Sequence, residues 1–497
     1  MSLAFVDTRA EWGLAAPAVV VEVHLSPGLP AFSIVGLPEN TVKEARERVR
    51  SALLTSCFDW PDHRITVNLS PADLPKSGGR YDLPIALGIL VASGQLPAST
   101  IKGREFFAEL SLSAQLRPVS GQLCAALTAT SAGHTCVVAE KEVDQLACVP
   151  KLEVIAAPDL LTLCARLKQD NVFSPLPSLN GDQSRQKEHF DVLKGQLAGK
   201  HALEIAASGG HHLLLSGPPG AGKSLLAQSL ASLLPPVDDA MYLQQLQLRD
   251  LVNLPNHHRT EIPCRAPHHS ATISALVGGG RRAQPGEVSL AHGGILFLDE
   301  IAEFPRVVLD TLRQPLENGT ITVSRARGSF TYPAAFQLIA AMNPCPCGYL
   351  GDQYRRCRCT PESTRRYQQR LSGPLVDRID LHVSVERTAT EDLLSVAPHE
   401  INLEDVRGRV AAIRARQIKR QGCINAALTG QDLLRECGLT TADKGWLQQA
   451  LDTLHISARG AHRCLRVART LADMGDAMHV DRQHLAEALS FRAESHG

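Results

Sequence analysis

Three short segments of this 497-residue chain carry residue types at spacings suited to phosphate chemistry. The first is Gly217, Pro218, Pro219, Gly220, Ala221, Gly222, Lys223 and Ser224. Glycines here leave backbone N–H groups open to phosphate oxygens, where a side chain would block the approach. In such a loop the lysine reaches the β- and γ-phosphates and the hydroxyl ligates Mg²⁺. The second segment, Ile295-Leu-Phe-Leu-Asp299-Glu300, sets two acids behind four apolar residues. Asp299 would hold Mg²⁺ with Ser224, and Glu300 would polarise an attacking water. The third is Asn343, just after the apolar run Gln337–Ala341. It would orient the lytic water, although an Asn before Pro344 is as readily a turn residue. ATP and Mg²⁺ are the expected cofactors.

A different chemistry is offered by Cys345, Cys347, Cys357 and Cys359, four of the 13 cysteines, crowded into one stretch. Clustered thiolates suit a structural Zn²⁺, and the alternative is four free thiols. Both pairs are spaced Cys-x-Cys, which constrains the ligands more tightly than the usual Cys-x-x-Cys. The other cysteines read as small core residues.

A phosphate-binding loop needs a strand to enter it and a helix to leave it. The apolar run His211–Leu215 and the helical pattern Leu225–Leu234 supply both. Ile295–Leu298 and Gln337–Ala341 read as short buried strands of a parallel sheet, whose C-terminal edge is where ligands bind. Between them, two β-rich runs from Gly319 to Tyr332 flank an Arg-Gly-Ser tip and predict a hairpin bearing Arg325 and Arg327. By itself that is a solvated hairpin whose arginines protect an edge. From about Thr388 the pattern turns helical, and the basic run Arg407–Arg420 reads as a solvated face. Upstream, β-like runs (Ala18–Val23, Arg64–Asn68, Thr135–Ala139) alternate with helical ones (Thr41–Ser56, Leu83–Ala92), and Ser174–Gln186 has linker composition. The expected division is residues 1–172, a linker at 173–187, an α/β unit at 188–387 and a helical unit at 388–497.

Lys plus Arg, at 51, equals Asp plus Glu, at 51, so any nucleic-acid site must be a local patch. Aromatic residues at 4% argue against recognition by base stacking. The N-terminus lacks the basic start and apolar core of a signal peptide, and Leu83–Ala92 is too short to span a bilayer. A cytoplasmic chain with reduced thiols and no membrane contact is expected.

Together with Leu375-Val-Asp-Arg378-Ile-Asp-Leu-His, the loop, acid pair and Asn343 resemble the AAA+ ATPases. Arg265-Ala-Pro-His-His-Ser, Gly286-Glu-Val-Ser-Leu-Ala-His and Asn343-Pro-Cys-Pro-Cys-Gly narrow the likeness to the magnesium-chelatase-like group. Within that group nearly the whole chain resembles the ComM/YifB family. The resemblance implies an α/β fold: a P-loop AAA+ module with a C-terminal helical lid, preceded by an α+β Lon-protease-like (ribosomal S5 domain 2-like) domain. It also implies a homo-hexameric ring with ATP between subunits. For the ComM members it implies a helicase-type DNA motor that drives branch migration as transformed DNA is integrated. Its partners would be branched or heteroduplex DNA, bound without regard to sequence, and recombination proteins.

By matching motif, Arg378 would be the arginine finger reaching a neighbour's γ-phosphate; a structural ion pair with Asp377 or Asp380 is the plain alternative. Arg459, in Ser-Ala-Arg-Gly-Ala-His-Arg, resembles the lid arginine that senses nucleotide, with Arg463 its rival one turn on. In related ring motors a hairpin like that at 319–332 points into the channel, where Arg325 and Arg327 would contact DNA phosphates. His268 and His269, beside Gly278–Gly280, fit a second channel insertion. Pro75–Asp82 parallels the stretch that carries the Lon-type serine. However, Arg80 stands at the serine's place, Leu123 stands where the activating lysine should be, and Ser77 is offset by three residues. A Ser–Lys dyad needs both groups, so this region reads as a non-catalytic scaffold. A second functional reading is a protein-remodelling motor similar to the ATPase subunit of magnesium chelatase, acting without DNA.

Overall fold

The computed structural model describes residues 2–169, 173–174, 196–280, 282–325, 328–352, 354–387 and 402–493. Arg327 and all but the first two residues of the expected linker lie outside the described residues. The first body is built on a seven-stranded sheet in the order Ala31–Val35, Arg64–Ser70, Ala18–Ser26, Ser2–Arg9, Arg104–Phe107, Thr135–Ala139, Val154–Ala157. Ser2–Arg9 pairs antiparallel with Ala18–Ser26 and parallel with Arg104–Phe107, so the sheet is mixed. The apolar helix Asp82–Ala92 packs on its inner face. Gly88 permits this approach, because a Cβ there would come within 2.5 Å of the Val23 side chain.

The second body is a five-stranded sheet ordered Cys264–Arg265, Ile295–Leu298, Gln337–Met342, Leu213–Ser216, Leu381–Ser384, with every neighbouring pair parallel. Its three central strands, Ile295–Leu298, Gln337–Met342 and Leu213–Ser216, are apolar but for Gln337 and Ser216, because both faces are covered. Leu213, Leu215, Ile339 and Ala341 face helix Leu197–Gly209 and the C-terminal helices. Leu214, Leu338, Ala340 and Met342 face the opposite core, which also holds Ile321 and Phe330 of the hairpin. This alternation is the period of two expected of strands. The helical pattern Leu225–Leu234 is observed as Lys223–Leu233, and the strand expected at His211–Leu215 as Leu213–Ser216.

Of the C-terminal helices Leu403–Gln421, Gly430–Cys437, Thr441–Thr453, Ala458–Met474 and Arg482–Ala493, the first and fourth lie against helices Leu197–Gly209 or Lys223–Leu233, the last meets strand Leu381–Ser384, and the other two pack on their fellow helices. The basic helix is only in part the solvated face expected from its charge pattern: Arg409, Arg416 and Lys419 are exposed, yet several of its arginines also reach neighbouring elements. Arg409 pairs with Glu204 at 2.7 Å, Arg414 donates to the Ala207 carbonyl at 2.7 Å, and Arg416 donates to the Asp473 carbonyl at 2.8 Å. The arginines clamp this helix to its neighbours, a long-range pairing that local charge spacing cannot reveal. No described helix is long and apolar enough to cross a membrane.

Two buried histidines give the fold an acid limit. Burial pushes both His292 and His382 down to about 4. His292 accepts from the Ala335 N–H at Nδ1 and meets Gln244 Oε1 at Nε2, an arrangement only the neutral ring satisfies. Unfolded, each takes a proton near pH 6.5, so between 6.5 and about 4 the unfolded chain binds more protons. Stability is therefore full above about pH 6.5 and falls as pH drops, by about 1.4 kcal/mol per histidine per pH unit. Thermal melts between pH 7.5 and 5 should show Tm falling with pH. A Tm constant across that range would refute the neutral assignment.

Candidate functional site

The loop leaving Leu213–Ser216 turns tightly back on the sheet. At Gly217 any Cβ would strike the Val385 carbonyl, while Gly220 and Gly222 sit at φ +80° and +86°. These left-handed positions are open to glycine at little cost and let the loop's N–H groups converge ahead of helix Lys223–Leu233. Lys223 Nζ donates to the Gly217 carbonyl at 2.6 Å, the Pro218 carbonyl at 3.0 Å and Asn343 Oδ1 at 3.1 Å. Burial lowers its pKa, against the pull of Asp299 and Glu300.

Ser224 Oγ donates to Asp299 Oδ2 at 2.8 Å, and Asp299 Oδ1 accepts from the Glu300 N–H at 3.0 Å. A hydroxyl and a carboxylate side by side are hard oxygen donors of the kind Mg²⁺ takes, so these residues fit that ion. Glu300 has φ +51°, a strained conformation for a non-glycine residue at a site of chemistry. Its carboxylate lies 3.8 Å from His269, whose ring stacks on His268 at 4.1 Å. The expectation of a second channel insertion did not foresee this contact. Strand Gln337–Met342 lies between the loop strand and the acid strand, so Asn343 leaves the sheet edge between Lys223 and the two acids.

Arg378 and Arg459 have no hydrogen bond or ion pair to Lys223, Ser224, Asp299 or Glu300 among the described residues. Arg378 is buried, donates to the Pro374 carbonyl at 2.5 Å and pairs with Glu317. The ion-pair partner is thus neither Asp377 nor Asp380. Asp380 is taken by Arg463 at 2.7 Å and His211 at 3.7 Å. Those partners hold the Asp380 carboxyl well below the usual range despite its burial. Arg463 is therefore a brace between the C-terminal helices and the sheet, whereas Arg459 is exposed and lies 3.9 Å from the same Glu317. Nothing in the sequence marks Glu317, because its role depends on two arginines distant in the chain.

Glu317 ends helix Arg313–Asn318, Gly319 turns left-handed at φ +65°, and the hairpin begins at Thr320. Thr320–Arg325 and Gly328–Pro333 pair antiparallel, with exposed Arg325 opposite Gly328. The hairpin's second strand, Gly328–Pro333, is braced by the first body. Trp12 packs edge-on against Phe330 at 4.9 Å, and a Cβ on Gly328 would meet the Trp12 ring at 3.0 Å.

The four cysteines converge. Sγ–Sγ distances are 3.4 Å for Cys345–Cys347, 3.7 Å for Cys345–Cys357 and 3.6 Å for Cys347–Cys357, and all four sulfurs lie within 4.8 Å of one another. Tetrahedral Zn²⁺ with sulfur ligands has edges of about 3.8 Å, so the thiols fit that ion. The N–H groups of Arg358 and Tyr349 lower the pKa of the Cys347 thiol, while those of Cys357 and Cys359 are raised by burial and by their sulfur neighbours, so the cluster shares its protons unevenly.

Ser77, Gly78, Gly79, Arg80 and Ser120 of the first body and Arg282 of the second line a cleft of about 470 Å³. Arg80 is buried, donates to the Ser120 and Arg9 carbonyls and lies 3.6 Å from Glu11. Leu123 is a core residue whose N–H bonds Asp250 at 2.7 Å, tying the first body to helix Asp239–Leu251 of the second. The nearby Lys76 is buried and donates to the Pro71 carbonyl.

A glycine loop with lysine and serine at one strand end, an acid pair two strands away and a polar residue on the strand between define a P-loop nucleotide-binding protein of the AAA+ class. Three family profiles match: "Magnesium chelatase, subunit ChlI" over 189–393, "Subunit ChlI of Mg-chelatase" over 21–142 and its C-terminal profile over 401–492. The chain is 46% identical over 496 residues to the uncharacterized protein YifB of Salmonella typhimurium, covering 99% of this chain and 97% of that one. It is 45% identical over 502 residues to the competence protein ComM of Haemophilus influenzae, covering 99% and 98%. Likeness to the magnesium-chelatase 38 kDa subunit of Cereibacter sphaeroides is 24% over 316 residues, covering 60% of this chain and 88% of that one. The chain belongs to the ComM/YifB family of magnesium-chelatase-like AAA+ ATPases.

Proposed function

We propose that this chain is an ATP-driven, homo-hexameric DNA translocase of the helicase type that promotes branch migration during recombination in natural transformation. The supporting observation is the continuity of residues 313–333: the carboxylate gripping Arg378 and the hairpin bearing Arg325 are one uninterrupted segment. A change in what Arg378 holds is thereby passed to the hairpin. Residues 217–224 bind ATP, with Ser224 and Asp299 holding Mg²⁺, which supplies charge neutralisation at the phosphates. Glu300 polarises the attacking water and Asn343 orients it. Arg378 enters the neighbouring subunit's site, Arg459 is the lid arginine that senses nucleotide, and Arg325 and Arg327 contact DNA phosphates. The likeness to a competence protein supports this assignment. Residues 1–172 form a non-catalytic scaffold, 188–387 the motor and 388–497 the lid, working in the cytoplasm with recombination proteins. The four cysteines hold one structural zinc.

The test is the ATPase rate with and without four-way junction DNA, with strand separation of a labelled junction followed in the same tube. ATP-dependent resolution of the junction is expected. Robust hydrolysis indifferent to every DNA form would overturn the proposal and favour a protein-remodelling motor of the magnesium-chelatase type.

A further inference from the structure

The four-cysteine loop does not stand apart from the nucleotide loop. Gly348, one residue after Cys347, packs against Pro219, and a Cβ there would lie 2.6 Å from the proline ring. Its N–H closes a tight turn on the Cys345 carbonyl at 2.9 Å. Asn343, two residues before Cys345, holds Lys223 Nζ at 3.1 Å. From the other side, Arg387 reaches the Pro219 carbonyl at 3.5 Å. Arg387 is itself gripped by the cysteine loop: its Nε lies 3.3 Å from the buried Asp352, and its guanidinium covers the Tyr349 ring at 5.5 Å. Pro219 is thus held between two contacts, one made by Gly348 inside the segment that the sulfurs tie together and one made by Arg387, which residues of that segment hold in place.

We infer that the four-cysteine centre is an allosteric metal site, whose occupancy by a soft divalent cation positions Pro219 and Asn343 and thereby tightens ATP binding. This rests on the zinc reading above. Metal binding displaces the remaining thiol protons to solvent and fixes Cys345 and Cys347 to Cys357 and Cys359. Gly348 and Tyr349 are then held against the nucleotide loop rather than free to sample many arrangements. Without the metal, that ordering must come from nucleotide binding, which weakens it. Because the coupling is thermodynamic, it is reciprocal: nucleotide must tighten zinc by the same factor that zinc tightens nucleotide. Couplings of this kind are worth about 5- to 150-fold, and on the order of tenfold is expected here.

The experiment uses the full chain. The Kd of a fluorescent ATP analogue is measured with zinc bound and after its removal, with circular dichroism confirming the fold. Zinc affinity is measured by chelator competition with and without a non-hydrolysable ATP analogue. Two matching shifts of about tenfold are expected. Arg387→Ala, which keeps all four thiols, should retain zinc, weaken the nucleotide and shrink both shifts together. Nucleotide affinity unchanged by zinc in a folded protein, or zinc affinity indifferent to nucleotide, would overturn the inference. Failure of the underlying readings looks different: no metal bound under any condition removes the zinc site, and no nucleotide bound with zinc in place removes the ATP site.

Discussion

Replacing Arg378 with alanine should lower DNA-stimulated ATP turnover by about 10³-fold or more while nucleotide affinity changes little, the effect of removing a positive charge from a phosphoryl-transfer transition state. The charge matters because negative charge builds on the γ-phosphoryl oxygens only as the bond breaks, so the loss falls on kcat. In the isolated chain Arg378 is parked on Glu317 and the Pro374 carbonyl, away from its own acid pair. It therefore has to act on a neighbouring subunit or not at all. Mixing Arg378→Ala subunits with Glu300→Gln subunits should restore part of the turnover, because some interfaces then pair an intact Arg378 with an intact Glu300. No rescue at any ratio, together with a lowered Tm for Arg378→Ala, would show an arginine that merely neutralises Glu317.

Lys223→Ala and Glu300→Gln should separate binding from chemistry. Lys223 bridges both sides of the site, donating to two loop carbonyls and to Asn343. Its loss removes the cation facing the β- and γ-phosphates and also loosens the loop, so binding of a fluorescent ATP analogue and turnover should both vanish. Glu300→Gln keeps the loop and the Ser224–Asp299 pair, so the nucleotide should still bind while hydrolysis falls about 10²–10⁴-fold, as expected for loss of a general base. Normal turnover in Lys223→Ala would refute the loop assignment. Equal loss of binding in both variants would mean that Glu300 holds the site together rather than acting on water.

Much of the site was legible because its chemistry is local. A glycine loop must lie between a strand and a helix, and Gly217–Ser224 does, within two residues of the expected ends. The acid pair and Asn343 could be placed from short apolar runs because a fully buried parallel strand is apolar at every position. The hairpin was readable from its two β-rich runs, and the cysteines from their density alone. By contrast, the strands Ala31–Val35, Arg104–Phe107 and Val154–Ala157 went unrecognised, since each is short and owes its pairing to partners farther along the chain, and the eight-residue Ser2–Arg9 was missed because it mixes polar and apolar residues.

The sequence by itself determined the family, the nucleotide loop, the acid pair and the thiol cluster, because each depends on residue type at close spacing. Tertiary structure alone decided what the charged residues hold. It separated Arg459 from Arg463 by burying the latter's partner, Asp380, and it gave Arg378 and Arg459 a common carboxylate in Glu317. It gave the partly solvated basic helix 407–420 its contacts to Glu204 and the Ala207 carbonyl, and it set the cysteine loop against Pro219. An ion pair or a packing contact forms wherever the fold brings two groups within a few ångströms. Spacing along the chain carries no record of that meeting.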